Sequence, residues 1–274
     1  MTDHDVSAFM TGLSTRLATR SRHVITFLGA GSSRACGLPD VNALQDSIAQ
    51  KLDGTQQAVY KSLTKTRSLE QVLSRIRRIG AVVEGDDKID GLDAVEAHAL
   101  DERICEIIVL ELSQEPTNTA PILDFGSWLA RSDYTQPIEV FTVNYDLLVE
   151  RALESYGSPY FDGFMGYLRG RFRADYVESG NLGNLEHLPR QFIRLWKLHG
   201  SLNWSWQDHG SYSEVVRLGA AVRSGSPVAI YPSDAKYEES RRMPFVVLQD
   251  RLRRSLNEPE SLALVSGYAW GVTI

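Results

Sequence analysis

Two periods of apolar residues divide the chain. Val6, Phe9, Met10, Leu13 and Leu17 recur at three- and four-residue steps, which predicts a first helix with one apolar stripe that packs beside a sheet. The run 24–28, Val-Ile-Thr-Phe-Leu, is β-branched and apolar and stops at glycine, as expected of a strand buried on both faces of a parallel sheet. From Asn42 to about Leu112 the period is helical. Leu44, Ile48 and Leu52 form one set, Leu69, Val72, Leu73, Ile76 and Ile79 a second, and Ile104, Ile107, Ile108 and Leu112 a third. Ser68 with Gln71 three residues on has the form of a capping box, and 84–93, with Gly85, Asp86, Asp87 and Gly91, reads as a loop.

A second clear strand over 139–143 follows Pro137 and leads at once into a helix built on Leu147, Leu148, Arg151 and Leu153. Further strands are predicted over 192–198, 228–231 and 262–265, with a helix over about 244–256 before the last. Strands alternating with helices predict an α/β fold with a Rossmann-like, doubly wound parallel sheet, which binds ligands at the carboxyl ends of its strands. No internal repeat is visible, and the polar stretch 178–186 reads as a surface loop.

The 274 residues, 43% hydrophobic and 23% charged, suffice for a large core and exclude disorder and fibrous repeats. The organisation expected is one domain over 1–274, with a Rossmann core over about 22–41 and 137–274 and a helical insertion over about 42–131. A net charge of −6 argues against a nucleic-acid-holding protein, and the basic stretches 75–78 and 251–254 read as solvated helix faces. Cys36 and Cys105, far apart in apolar segments, fit reduced thiols in a cytoplasmic protein, and two cysteines cannot build a four-cysteine zinc site. The start 1–20 lacks the form of a signal peptide, and no stretch reaches the roughly 18 apolar residues of a membrane span. No His, Cys or carboxylate spacing suggests a metal.

The loop Gly29-Ala30-Gly31-Ser32-Ser33 closes the first strand. Its glycines allow a tight turn and a close approach to a pyrophosphate, whose charge the amides of the next helix start would meet. Arg34 stands where the usual dinucleotide fingerprint has its third glycine, which weakens a dehydrogenase reading. The loop continues into Gly37-Leu38-Pro39-Asp40, and two other predicted strand ends carry Thr142-Val143-Asn144-Tyr145-Asp146 and Lys197-Leu198-His199-Gly200-Ser201.

In that order, these motifs resemble the sirtuin family. The Val-Asn-Tyr-Asp run, the string from Leu198 to Trp204, the segment from Ile230 to Ser233 and Ser266-Gly267-Tyr268-Ala269-Trp270-Gly271 resemble more closely the bacterial sirtuin-like NADase domains of antiphage defence. The resemblance spans about 22–271, with 42–131 alike only in character. There are departures from the family. The zinc module of sirtuin deacylases is absent, Val41-Asn42 stand where they carry Phe-Arg, and Val272 stands where the defence-type relatives carry Asp, so a truncated C-terminus is expected.

The resemblance implies NAD as a substrate, cleaved to nicotinamide and ADP-ribose in abortive infection. It also implies a homo-oligomer and an activator such as a helicase-type ATPase or a phage protein. Rival readings are an NAD-dependent protein deacylase and a non-catalytic NAD- or ADP-ribose-binding assembly domain. By resemblance His199 is the general base, and an imidazole titrates near working pH. Asn144 holds the nicotinamide ribose or the attacking water, or caps the next helix, or both. Asp146 binds the nicotinamide carboxamide or favours its helix start by charge. Gly29, Ala30, Gly31, Ser32 and Ser33 anchor phosphate, Asp40 lines the nicotinamide end, and Gly200, Gly267 and Tyr268 complete the pocket. Trp196, Trp204 and Trp206 read as core by their alternation, with ligand stacking the lesser alternative. His187 and His209 read as exposed.

Overall fold

The structure, a computed structural model, describes residues 5–178, 192–210, 212–222, 228–230 and 243–270. In chain order the elements are α1 (Val6–Leu17), β1 (His23–Leu28), α2 (Ala30–Ala35), α3 (Val41–Lys51), α4 (Gly54–Leu63), α5 (Leu69–Val82), α6 (Ala94–Leu112) and α7 (Ala120–Arg131). There follow β2 (Glu139–Thr142), α8 (Leu148–Ser155), β3 (Tyr160–Phe161), β4 (Phe164–Met165), β5 (Arg169–Phe172), α9 (Ala174–Glu178) and β6 (Ile193–Lys197). The chain closes with β7 (Gly200–Asp208), β8 (Ser213–Leu218), β9 (Val228–Ile230), α10 (Phe245–Asn257) and β10 (Ser261–Ser266).

The expected parallel sheet is present, in the order β10-β1-β2-β6-β3. Successive strand residues point to opposite faces. Val24, Val140 and Leu195 pack with Ile122, Leu129 and Leu153 of α7 and α8, whereas Ile25, Phe141 and Trp196 pack with Phe245 and Leu248 of α10. Buried apolar side chains on both faces are why these strands read as continuous hydrophobic runs.

The insertion splits in two. Helices α3 to α6 share a core of their own around Ile48, Tyr60, Ile76 and Ile104, while α7 belongs to the sheet layer. Ser68 and Gln71 form the expected capping box, and Asp93 with Glu96 forms a second at the start of α6.

Four expectations are corrected. Only the C-terminal end of the α1 stripe meets the sheet layer: Leu17 is partly buried against it, whereas no residue of the helix is fully buried and Phe9 is 66% exposed. Periodicity shows that a helix has an apolar face without showing what meets it. The predicted fourth strand is β9, which does not join the parallel sheet. It pairs antiparallel with β7 in a second five-stranded sheet, order β4-β5-β8-β7-β9. The stretch 251–254 is not wholly a solvated face, because Arg251 is buried and donates to both oxygens of Glu139. Glu139 is itself fully buried and also takes bonds from His23 Nε2 (2.9 Å) and Trp196 Nε1 (2.6 Å), so one carboxylate ties β1, β2, β6 and α10 together. Finally, α2 begins at Ala30, so most of the expected glycine loop is the first turn of a short helix.

Trp196 and Trp204 are 1% exposed and pack with Phe161, Phe164 and Phe245, which is the core reading. Cys36 and Cys105 are free and buried. His209 is exposed and pairs with Glu214. His187, the span 179–186 of the expected surface loop, residues 231–233 and Gly271 lie outside the described residues. Among the described residues no helix is long and apolar enough to cross a membrane, and no group of His, Cys, Asp and Glu could hold a metal ion.

Candidate functional site

Strand register builds the site. Leu28 pairs with Thr142 and with Ser266, and Thr142 pairs with Lys197, so these four residues form one line across the carboxyl edge of the sheet. Two residues beyond that line stand Asn144 on β2's exit, His199 on β6's exit and Tyr268 on β10's exit. The parallel ladder thus brings to one edge three positions that the sequence separates widely.

Asn144 is positioned by Thr142, whose hydroxyl donates to Leu28 O (3.1 Å) and accepts from the Asn144 amide N–H (3.0 Å). The Asn144 side-chain nitrogen then donates toward Gly29 O (2.9 Å), Ser32 Oγ (3.0 Å) and Ser33 Oγ (2.9 Å). Two hydrogens shared among three acceptors hold the amide firmly. Its Oδ1 has no hydrogen-bond partner among the described residues and is not sealed from solvent. The open group of Asn144 is therefore an acceptor. Asn144 is not the cap of α8, whose N-cap residue is Leu147.

Ser33 Oγ donates to Asp146 Oδ2 at 2.5 Å, and Asp146 Oδ1 accepts from the Leu148 N–H at 3.0 Å. A chain Asn144–Ser33–Asp146 results, and Asp146 is also the negative group at the start of α8. Lys197, which opens the His199 string and carried no expected role, fixes this loop from below. Its ammonium donates to Asp146 O, to Tyr145 O (3.4 Å) and to Glu150 Oε1 (3.1 Å). A lysine at the end of a wholly buried strand was the signal for it.

The glycines also serve a packing purpose. Gly29 N donates to Ser266 O (2.9 Å) and Gly31 N to Gly267 O (2.8 Å). A Cβ on Gly29 would lie 2.6 Å from Gly267 O, and one on Gly267, at φ +66°, would lie 2.4 Å from Ser32 N. The turn is glycine-rich because β10's exit presses against it. A phosphate here would be met by the Ala30 amide and the Ser32 hydroxyl, which now donates to Gly29 O at 2.7 Å, rather than by the Gly29 and Gly31 amides.

His199 is half-buried, and its ring nitrogens have no hydrogen-bond partner among the described residues. That is not a core histidine satisfied by backbone. Burial pushes its pKa below the ordinary 6.5, against the opposing pull of Glu70 from the first turn of α5. Gly200 follows at φ +91° and opens β7. Tyr268 meets Phe27 edge to face at 5.2 Å, and Trp270 at 5.3 Å. Asp40 is the N-cap of α3: one oxygen accepts from Ala43 N at 2.9 Å and the other pairs with Arg34 at 3.0 Å. Arg34, the residue in place of the third glycine, is thereby bound to the end of the same segment.

These features define a class: an α/β protein with a Rossmann-like parallel sheet whose carboxyl edge carries a glycine turn, an asparagine and a histidine. Residues 138–268 match the SIR2-like domain, so the chain is similar to sirtuin-like proteins over that span and its function is NAD-related. The span holds Asn144, Asp146, His199, Gly267 and Tyr268, and excludes the turn 29–33. No curated protein matches the chain.

Proposed function

We propose that the chain is an NAD glycohydrolase that cleaves NAD to nicotinamide and ADP-ribose, and that it acts as a cytoplasmic effector of antiphage defence. The observation that carries this reading is a pair of acceptors at one register level, Asn144 Oδ1 and the His199 imidazole, that have no hydrogen-bond partner among the described residues. Breaking the nicotinamide–ribose bond leaves positive charge on the ribose. An uncharged amide oxygen can hold a water or a ribose hydroxyl there without placing a cation beside it. His199 takes the proton that the water loses as its oxygen bonds to the ribose carbon. Its lowered pKa keeps it neutral, and so able to accept, at cellular pH. Ser32 and the Ala30 amide meet the pyrophosphate, and Asp146, held by Ser33, faces the nicotinamide carboxamide. Tyr268 and Gly267 close the pocket from β10. Such an activity consumes a cofactor that the cell needs, so it is gated by self-association or by a partner, a helicase-type ATPase or a phage protein.

The test is NAD consumption by purified protein with and without an acetyl-lysine peptide. The hydrolase reading expects free ADP-ribose in both cases, and strict dependence on peptide would replace it with deacylation.

A further inference from the structure

A polar cavity of about 240 Å³ lies between the end of α6, the helix α8 and the strands β7 and β8. Its wall includes Asp146, Glu150, Asn203 and Arg217, with Leu38 and Leu202 as apolar surface. Of the residues proposed to act on NAD, Asp146 is shared with this wall, whereas Asn144 and His199 do not line it.

The buried charges around it do not balance. Asp146, Glu150 and Asp162 are buried acids, and the bases facing them are the buried Lys197, bonded to Glu150, and the partly exposed Arg217, whose Nε lies 3.0 Å from Asp162 Oδ2 without the alignment of a hydrogen bond. At the rim Glu154 accepts from Tyr160 OH, while Arg151 is engaged by Glu115. Three acids against two bases leave one negative charge in excess, with Glu154 adding to it. Asn203 is 8% exposed; its nitrogen donates to Leu218 O, but its Oδ1 is buried with no partner among the described residues. Ser113 Oγ, also in this wall, is likewise unpartnered. Buried polar atoms without partners are uncommon and ask for a ligand or ordered water.

We propose that this cavity binds a small organic cation, a primary ammonium on a short aliphatic stem. Its N–H donors meet Asn203 Oδ1 and the Glu150 carboxylate, and its stem lies against Leu38 and Leu202. The ammonium supplies the missing positive charge, which an anion could not, and the cavity is larger than a bare ion needs. Burial holds Glu150 above its ordinary pKa against the pull of Lys197, and raises Asp162 to about 6 against Arg217, as carboxyls short of positive charge behave. Affinity therefore rises with pH as these acids ionise, Asp162 doing so at about 6. The inference does not rest on the NAD reading, because it is read by binding and not by turnover.

The experiment titrates the full chain with n-butylammonium and with its neutral analogue 1-butanol by calorimetry, at about pH 5 and about pH 8. Expected is saturable one-to-one binding of the amine, weaker at the lower pH, with the alcohol at least about tenfold weaker, as befits a lost charge-assisted hydrogen bond. Glu150→Gln weakens the amine by a similar factor. Equal affinity for amine and alcohol in the wild-type chain, or no saturable binding of the amine, overturns the proposal whatever the variant does.

Discussion

The side-chain nitrogen of Asn144 donates to the backbone oxygen of Gly29 at 2.9 Å, joining the exits of two neighbouring parallel strands across 115 residues of chain. That bond, with its partners at Ser32 and Ser33, turns the amide so that its oxygen faces outward. The turn at 29–33 thus sets the orientation of Asn144.

Ser33→Ala tests this orientation. The change removes the hydroxyl that accepts from Asn144 and donates to Asp146. Losing a hydrogen bond to a charged group costs about 1.5–3 kcal/mol, so a roughly tenfold to hundredfold fall in kcat is expected, with KM for NAD changed little. Steady-state nicotinamide release would check it, and an unaltered kcat would mean that Asn144 is held by Gly29 and Ser32 alone.

Gly267→Ala should be structural first and functional second. The new methyl has no room beside Ser32 N, and the backbone sits at a positive φ that side chains rarely adopt. A forced fit of this kind costs about 1–3 kcal/mol, so a lower denaturation midpoint together with weaker NAD binding is predicted. Retention of both would show that β10's exit can retreat from the turn.

The pH dependence of kcat/KM follows from His199. A base works when neutral, and burial favours the neutral form, so the acidic limb should lie below the ordinary 6.5. Glu70 opposes that displacement by favouring the charged imidazole. Glu70→Gln should therefore move the limb to still lower pH. A limb that moves upward, or stays fixed, would remove His199 from the role.

Glu139 offers a stability test away from the site. Burial alone would raise its carboxyl, but the bonds from His23 and Arg251 and the charges of Arg251 and Arg194 outweigh it and hold it at about 2. Its folded value lies below the ordinary 4.5, so its contribution is present above that value and is lost as pH falls toward about 2. Arg251→Ala leaves a buried carboxylate short of its main partner and should cost about 3–5 kcal/mol at neutral pH. Urea unfolding at neutral and acidic pH should show the gap between wild type and variant closing on acidification.

Much of this was legible in the sequence. The strands β1, β2 and β6 are largely apolar runs because both faces of the sheet are covered there, and the capping box at Ser68 is a local signal that tertiary context did not override. The second sheet was not legible: β4 has two residues and β5 four, too short for an alternating pattern to declare itself. The burial of Arg251 was hidden because its partner Glu139 lies 112 residues away. At the site, Asn144 and His199 stood out through their motifs. The work of Lys197, and the pressing of Gly267 on the turn, depend on register that no single segment carries.

The central claim is that Asn144 and His199 share one site that cleaves NAD. It is tested most directly by measuring nicotinamide release from purified wild type, Asn144→Ala and His199→Ala, with and without candidate activating partners. The account predicts turnover by wild type and a loss of about 10²–10³-fold or more in each variant, the scale of removing a polar group or base that acts in the transition state. Equal release by all three proteins would contradict it.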